Sequence, residues 1–328
     1  MKTNIYLTLF FLSMFFLSCK KTETFESVNP NASKEAKELL AYLYSIRGKK
    51  IISGQHNYPH ELLRSTDSIQ AMTGKLPALW GTDISSMSDK LVEEAIRQHK
   101  KGAIITLMYH QVKPFDHDSL GYAGSVKGMV TDEQWEQIIT PGSEYYKMLL
   151  HKIDQRAEVL KKLRDANIPV LWRPYHEMNG MWFWYGNRPG KKGVQFLWKM
   201  MYDRYTNHHK LNNLIWVWNA NGPRDRENDE AYAYHLFYPG NEYVDVLAAD
   251  IYRNDYKQSH HDELVELGEG KLIALGEIGQ VPSPEIIEQQ PEWAWFMIWA
   301  RFPWTHNDRE DVQKLYNSER VLTLDEIQ

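Results

Sequence analysis

The sequence predicts an α/β protein built as a single (β/α)8 TIM barrel, and three observations carry that reading. Eight short apolar runs, rich in β-branched and aromatic residues, recur along the 328-residue chain, each followed by a polar or glycine-containing stretch and a segment of helix length. That is the alternation of βα units. After residue 32 no Pro/Gly/Ser-rich linker divides the chain, which favours one closed domain over two. An open doubly wound sheet needs a glycine-rich turn after its first strand. Here that turn reads Gly54-Gln55-His56, and Gly268-Glu269-Gly270 precedes a strand instead of following one.

In chain order, residues 1–18 read as an export signal. Lys2 precedes an almost wholly apolar run over residues 5–17, about 13 residues against the roughly 20 that span a bilayer. The run ends Phe16-Leu17-Ser18-Cys19, and Cys19 is the only cysteine in the chain. This resembles the lipobox of a bacterial lipoprotein, which implies cleavage before Cys19 and acylation of its thiol. The expectation is an exported chain anchored by lipid to a bacterial membrane, on the cell surface or the periplasmic face. Residues 19–32 read as a polar tether and 33–328 as the barrel. A helix over 33–46, with Ser33 as N-cap, is expected to close the barrel bottom. Strands are predicted at 50–55, 77–83, 103–110, 168–175, 213–219, 244–252, 272–277 and 295–301. Helices are predicted at 88–101, 144–166 and 191–209. The clearest is the second, where Tyr146, Leu149, Ile153, Ala157, Leu160 and Leu163 recur at steps of three and four before Asn167 and Pro169.

A net charge of −5 with no block of like charges offers nothing to a nucleic acid. Barrel enzymes carry their chemistry at the C-terminal strand ends. Those ends supply Gln55-His56, Asp83, Tyr109-His110, residues 173–177, Trp218-Asn219, Asp250 with Tyr252, Glu277, and Trp299 with Arg301. Glu177 follows the fourth strand and Glu277 the seventh, where a closed ring lets them face each other. A glycosidic bond breaks through an oxocarbenium-like state, so one carboxyl must protonate the departing oxygen while a second attacks or stabilises the anomeric carbon. Sugar rings also stack on aromatic faces, and Trp80, Trp182, Trp184, Trp218 and Trp299 fall at or just past strand ends. Trp172, Trp198 and Trp216 read as core.

The stretch from Trp172-Arg173-Pro174-Tyr175-His176-Glu177-Met178-Asn179-Gly180 to Met181-Trp182-Phe183-Trp184-Tyr185-Gly186 resembles the acid/base segment of glycoside hydrolase family 26, known chiefly for β-1,4-mannanases. The similarity extends to Gly54-Gln55-His56, Tyr109-His110, Ile215-Trp216-Val217-Trp218, Asp250-Ile251-Tyr252 and Ala274-Leu275-Gly276-Glu277. It implies a retaining enzyme that needs no cofactor or metal, with Glu177 as acid/base and Glu277 as nucleophile. His110, His176, Trp182 and Tyr252 would line the subsite of the cleaved sugar above Trp299. The substrate implied is β-mannan or its oligosaccharides, cut in endo or exo fashion; related enzymes act on β-1,3-xylan and mixed-linkage β-glucan. A different class, a non-catalytic glycan-binding lipoprotein, would lose one of the two carboxylates. The chain departs from the family in Trp299-Ala300-Arg301, where Trp-Arg is usual, and in Tyr109-His110, where Trp-His is common. The connection over 111–143 is long enough to wall off distal sugars.

Other motifs read as structure. His176-Glu177 is no H-E-x-x-H zinc site, since position 180 is Gly. His208-His209 and His260-His261 look solvated. His56 either binds sugar or bonds within the barrel mouth, and Asp83 reads as a supporting carboxylate.

Overall fold

The computed structural model describes residues 26–327; the signal and Cys19 calls lie outside them. Eight parallel strands form a closed ring: β1 (Ile51–Asn57), β2 (Leu79–Asp83), β3 (Ile104–Tyr109), β4 (Val170–Pro174), β5 (Leu214–Asn221), β6 (Val246–Ile251), β7 (Leu272–Ile278) and β8 (Trp293–Ile298). β1 pairs with both β2 and β8, which closes the barrel. A two-residue β9 (Val321–Leu322) adds to the start of β1.

Alternation along each strand separates two cores. Ile52, Leu79, Leu171, Ile215, Val217, Ala248, Ala274 and Trp295 fill the interior, while Ile51, Ile105, Trp172, Trp216, Leu247, Ile273 and Phe296 meet the helices outside. Trp172, Trp198 and Trp216 are core, as expected. The helices are α1 (Lys34–Ile46), α2 (Arg64–Thr73), α3 (Asp89–Lys100), α4 (Asp132–Ile139), α5 (Glu144–Asp165), α6 (Val194–Asp203), α7 (Gln258–Gly268), α8 (Pro284–Gln289), α9 (Phe302–Thr305) and α10 (Arg309–Tyr316). α1 starts where the Ser33 hydroxyl accepts the Ala36 N–H. Its Ala36, Leu40 and Leu43 join the interior core, so it plugs the bottom, as its sequence predicts.

Three boundaries differ from the sequence reading. The expected tether is docked from Val28 onward, through Val28 N–H to Asp245 Oδ1 at 2.8 Å and Asn29 Nδ2 to Leu211 O at 3.3 Å. No α-helix spans β5 and β6 among the described residues; two short turns, Tyr234–Leu236 and Asn241–Tyr243, cross there instead. β8 ends at Ile298, not at 301, because the backbone turns left-handed at Ala300 (φ 37°) and Arg301 begins the helical turn holding Pro303. The paired histidines are also less solvated than expected. His209, His260 and His261 are buried and bond Asp154, Asp255 and Asp262 respectively.

Candidate active site

Glu177 and Glu277 meet across the C-terminal mouth of the barrel. Past β4 the chain turns through left-handed backbone at Tyr175 and Glu177 (φ 49° and 54°). Such strain costs a non-glycine residue on the order of 1–3 kcal/mol, and here the Glu177 N–H is tied to Asn219 O at 2.8 Å. Glu277 lies on β7 where its pairing with β8 slips between Leu275 and Ile278. Carboxylate oxygens of Glu177, Glu277 and Asp250 all fall within 4.8 Å of one another.

The two glutamates sit in opposite electrostatic settings. Glu277 Oε1 is 3.3 Å from both Nη1 and Nη2 of Arg173, and Oε2 accepts the Tyr252 hydroxyl at 2.7 Å. A guanidinium and a phenol hydroxyl thus hold its two oxygens in charge-assisted hydrogen bonds. Glu177 accepts Trp182 Nε1 at 2.7 Å and Asn221 Nδ2. Burial first, and the Glu277 charge second, push its carboxyl up to about 7. Asp250 is fully buried, with Oδ1 bonded by Asn219 Nδ2 at 2.7 Å and Oδ2 without a partner. Burial first, then the charges of Glu277 and Glu177, raise its carboxyl well above the usual range. Among the described residues this trio is a carboxylate group that could meet a metal ion, but Arg173 already supplies a fixed positive charge within it.

His110 and His176 lie edge to face, ring centroids 4.5 Å apart. His110 Nδ1 is 2.5 Å from Asp83 Oδ2. Burial pushes Asp83 up, yet its bonds from His110 and Ser85 prevail and hold it below its usual range. Asp83 is thus a supporting carboxylate, as its sequence position implies. Burial first, then the neighbouring His110 and Arg173, push His176 well below the usual imidazole range. His56 is buried and stacks on Trp299 at 4.1 Å. Beside this stack opens a cavity of about 480 Å³, walled by Tyr58, Tyr109, His110, Tyr122, Arg156 and Trp299.

Residues 28–326 match the model of glycosyl hydrolase family 26. The chain belongs to that family. It is 36% identical to a mannan endo-1,4-beta-mannosidase of Thermothelomyces thermophilus over 92% of this chain and 63% of the relative. It is 31% identical to mannan endo-1,4-beta-mannosidase A of Piromyces sp over 92% of this chain and 50% of the relative. The chain therefore spans between half and two thirds of these curated relatives. Among solved structures, GH26A from Muricauda sp. MAR_2010_75 is similar at 48% identity and a TM-score of 0.89, covering 92% of this chain and 99% of that one. The GH26-CBM35 beta-(1,4)-mannanase of Podospora anserina is similar at 36% and 0.77, covering 93% and 69%.

In this family 26 barrel the aromatic residues divide differently from the sequence reading. Trp182 and Trp299 remain partly open to the cleft. Trp80, Trp184 and Trp218 are buried: Trp80 Nε1 bonds Leu62 O, Trp184 Nε1 bonds Gln111 O, and Trp218 packs on Tyr238 outside the ring. Arg301, displaced by Ala300, lies over the Tyr58 ring at 5.5 Å. Within the long 111–143 connection, Asp118 pairs with Lys152 and Arg156 of α5. The loop then carries Tyr122 to an edge-on contact with His110 at 5.1 Å.

Sequence reasoning assigned no role to Arg173, Asn219, Asn221, Asp250 or Tyr122. Asn219 Oδ1 accepts Arg173 Nη1 while its Nδ2 holds Asp250, linking β4, β5 and β6 beneath Glu277. The available signal was two asparagines two apart at the end of a strand, which put both side chains on one face. Two glycines mark the same close packing. A Cβ on Gly276 would come within 2.0 Å of Asn219 Oδ1, and one on Gly180 within 2.1 Å of the Trp182 ring.

Proposed function

We propose that the chain is a retaining mannan endo-1,4-β-mannosidase, with Glu277 as nucleophile and Glu177 as acid/base. The carrying observation is the close, electrostatically divided carboxylate pair. One oxygen of each lies within 4.8 Å of the other, which supports the roughly 5–5.5 Å separation of retaining enzymes over the about 6.5–9.5 Å at which inverting enzymes admit a water. The names of the relatives supply the substrate.

Glu277 attacks the anomeric carbon as the glycosidic C–O bond breaks and the Glu177 proton passes to the departing oxygen. Water then attacks the glycosyl-enzyme ester, giving its proton to Glu177 and releasing Glu277. Tyr252 steers Glu277 through its hydroxyl. His110, His176, Trp182 and Trp299 surround the reacting sugar, and the 480 Å³ cavity beside Trp299 receives the sugars next to it. Incubation with linear β-1,4-mannan, β-1,3-xylan and mixed-linkage β-glucan tests the reading. Mannan should be cut internally, with the β anomer formed first by NMR. First-formed α product, or cleavage of xylan or glucan alone, overturns it.

We also propose that Cys19 carries a lipid anchor, on the strength of the short apolar run that it terminates. Cys19→Ala should move the protein from the membrane to the soluble fraction or leave the leader uncleaved; unchanged fractionation refutes the anchor.

A further inference from the structure

Arg224 lies outside the carboxylate group yet touches both side chains that bond Glu177. Its Nη1 donates to Asn221 Oδ1, and its guanidinium sits 5.2 Å from the centroid of the Trp182 ring. Asn221 Nδ2 and Trp182 Nε1 are the donors on the two oxygens of Glu177. Asp229 grips Arg224 in turn, Nη2 to Oδ1 at 2.7 Å and Nε to Oδ2 at 3.2 Å, and also accepts Arg253. The backbone repeats the connection. Arg224 bridges Ala231, and Ala231 bridges Gly180 of the Glu177 loop.

We propose that Arg224, clamped by Asp229, is a positioning residue that turns Asn221 and Trp182 onto Glu177 and so aims its proton at the departing oxygen. The inference rests on the reading of Glu177 as acid/base. An asparagine amide has a donor end and an acceptor end. With Oδ1 committed to Arg224, Nδ2 has to face Glu177. A cation against the indole face restrains the ring plane, and with it the Nε1–H direction. Lysine has one point charge and no fork, so it can supply the charge without both contacts.

The charge itself has a readable effect. Glu277 of β7 faces Glu177 and favours its protonated form, and Arg224 opposes it. The other titratable groups in that field are Asp250 and Tyr252 from the β6 side, Tyr185 from the same loop and Tyr122 from the β3 connection. Removing the cation leaves burial and Glu277 less opposed, so Glu177 should hold its proton to higher pH.

The test compares wild type, Arg224→Met and Arg224→Lys on a manno-oligosaccharide and on an aryl mannoside with an activated leaving group. Glu177 is titrated separately by 13C NMR of labelled glutamate carboxyls, assigned with Glu177→Gln. Arg224→Met should lose roughly 10- to 100-fold in kcat/KM on the oligosaccharide and only a few-fold on the aryl substrate, which needs no acid. The basic limb of its pH profile and the NMR midpoint should rise by about half a unit to one unit. Arg224→Lys should keep the wild-type limb while still losing oligosaccharide turnover. Equal losses on both substrates with a lowered Tm, or an unmoved limb and midpoint in Arg224→Met, would reduce Arg224 to a structural role. If wild type cleaves neither substrate, the enzymatic reading fails, while the NMR midpoints of the folded proteins still decide whether Arg224 acts on Glu177.

Discussion

Glu277→Ala should abolish turnover of every substrate, whatever its leaving group, by at least about 10⁴-fold. No glycosyl-enzyme can form without the nucleophile, so an activated aryl leaving group cannot compensate. The change also removes the partner of Arg173, whose side chain is only 1% exposed. Breaking one side of such a buried pair costs about 3–5 kcal/mol, so the Tm should fall along with the activity. Glu277→Gln separates the two effects. Its amide oxygen can still accept from Arg173, and the protein should fold near its normal Tm while staying inactive. Loss of the Glu277 charge also removes one of the two influences that raise Glu177, so Glu177 should titrate lower in either variant. Measurable hydrolysis by folded Glu277→Gln, above about one part in 10³ of wild type, would exclude Glu277 as the nucleophile.

Glu177→Ala should behave differently according to the leaving group. With a sugar leaving group, losing proton donation costs about 10²- to 10⁴-fold. With an activated aryl group the first step survives, but water then lacks its base, so the glycosyl-enzyme accumulates and product appears as a burst. Azide needs no base; adding it should speed turnover and yield a glycosyl azide of retained β configuration. In wild type, activity that requires protonated Glu177 should be full below about pH 7 and fall as pH rises through that value, where the raised carboxyl ionises. Glu177→Ala should lose that limb on the aryl substrate. Equal loss on both substrate types, no burst and no response to azide would break the assignment of the pair, even in a protein that degrades mannan.

The elements that sequence alone determined are those governed by local periodicity. Short apolar runs rich in β-branched and aromatic residues marked the eight strands, and steps of three and four marked α5, because buried parallel strands are apolar on both faces and the helical turn imposes its spacing directly. Ser33 announced α1 by its capping chemistry. Glu177 and Glu277 stood out because each follows a buried run at the end where barrels place reactive groups, and the family motif around Glu177 is long. The tertiary structure decided what depends on direction across the ring. Trp80, Trp184 and Trp218 are not distinguishable by residue type from Trp182 and Trp299, yet their rings are packed in the core outside the barrel, Trp80 and Trp218 from within β2 and β5 and Trp184 from the loop after β4. The Arg173–Asn219–Asp250 chain joins three strands, and the hold of Arg224 on Asn221 and Trp182 joins two loops. Beyond the two asparagines two apart on β5, neither leaves a spacing in the sequence, since hydrogen bonds between separate strands depend on register and closure. The same is true of the proton on Glu177: its position in sequence names a carboxyl, but only the enclosure of the folded barrel removes the water that would ionise it.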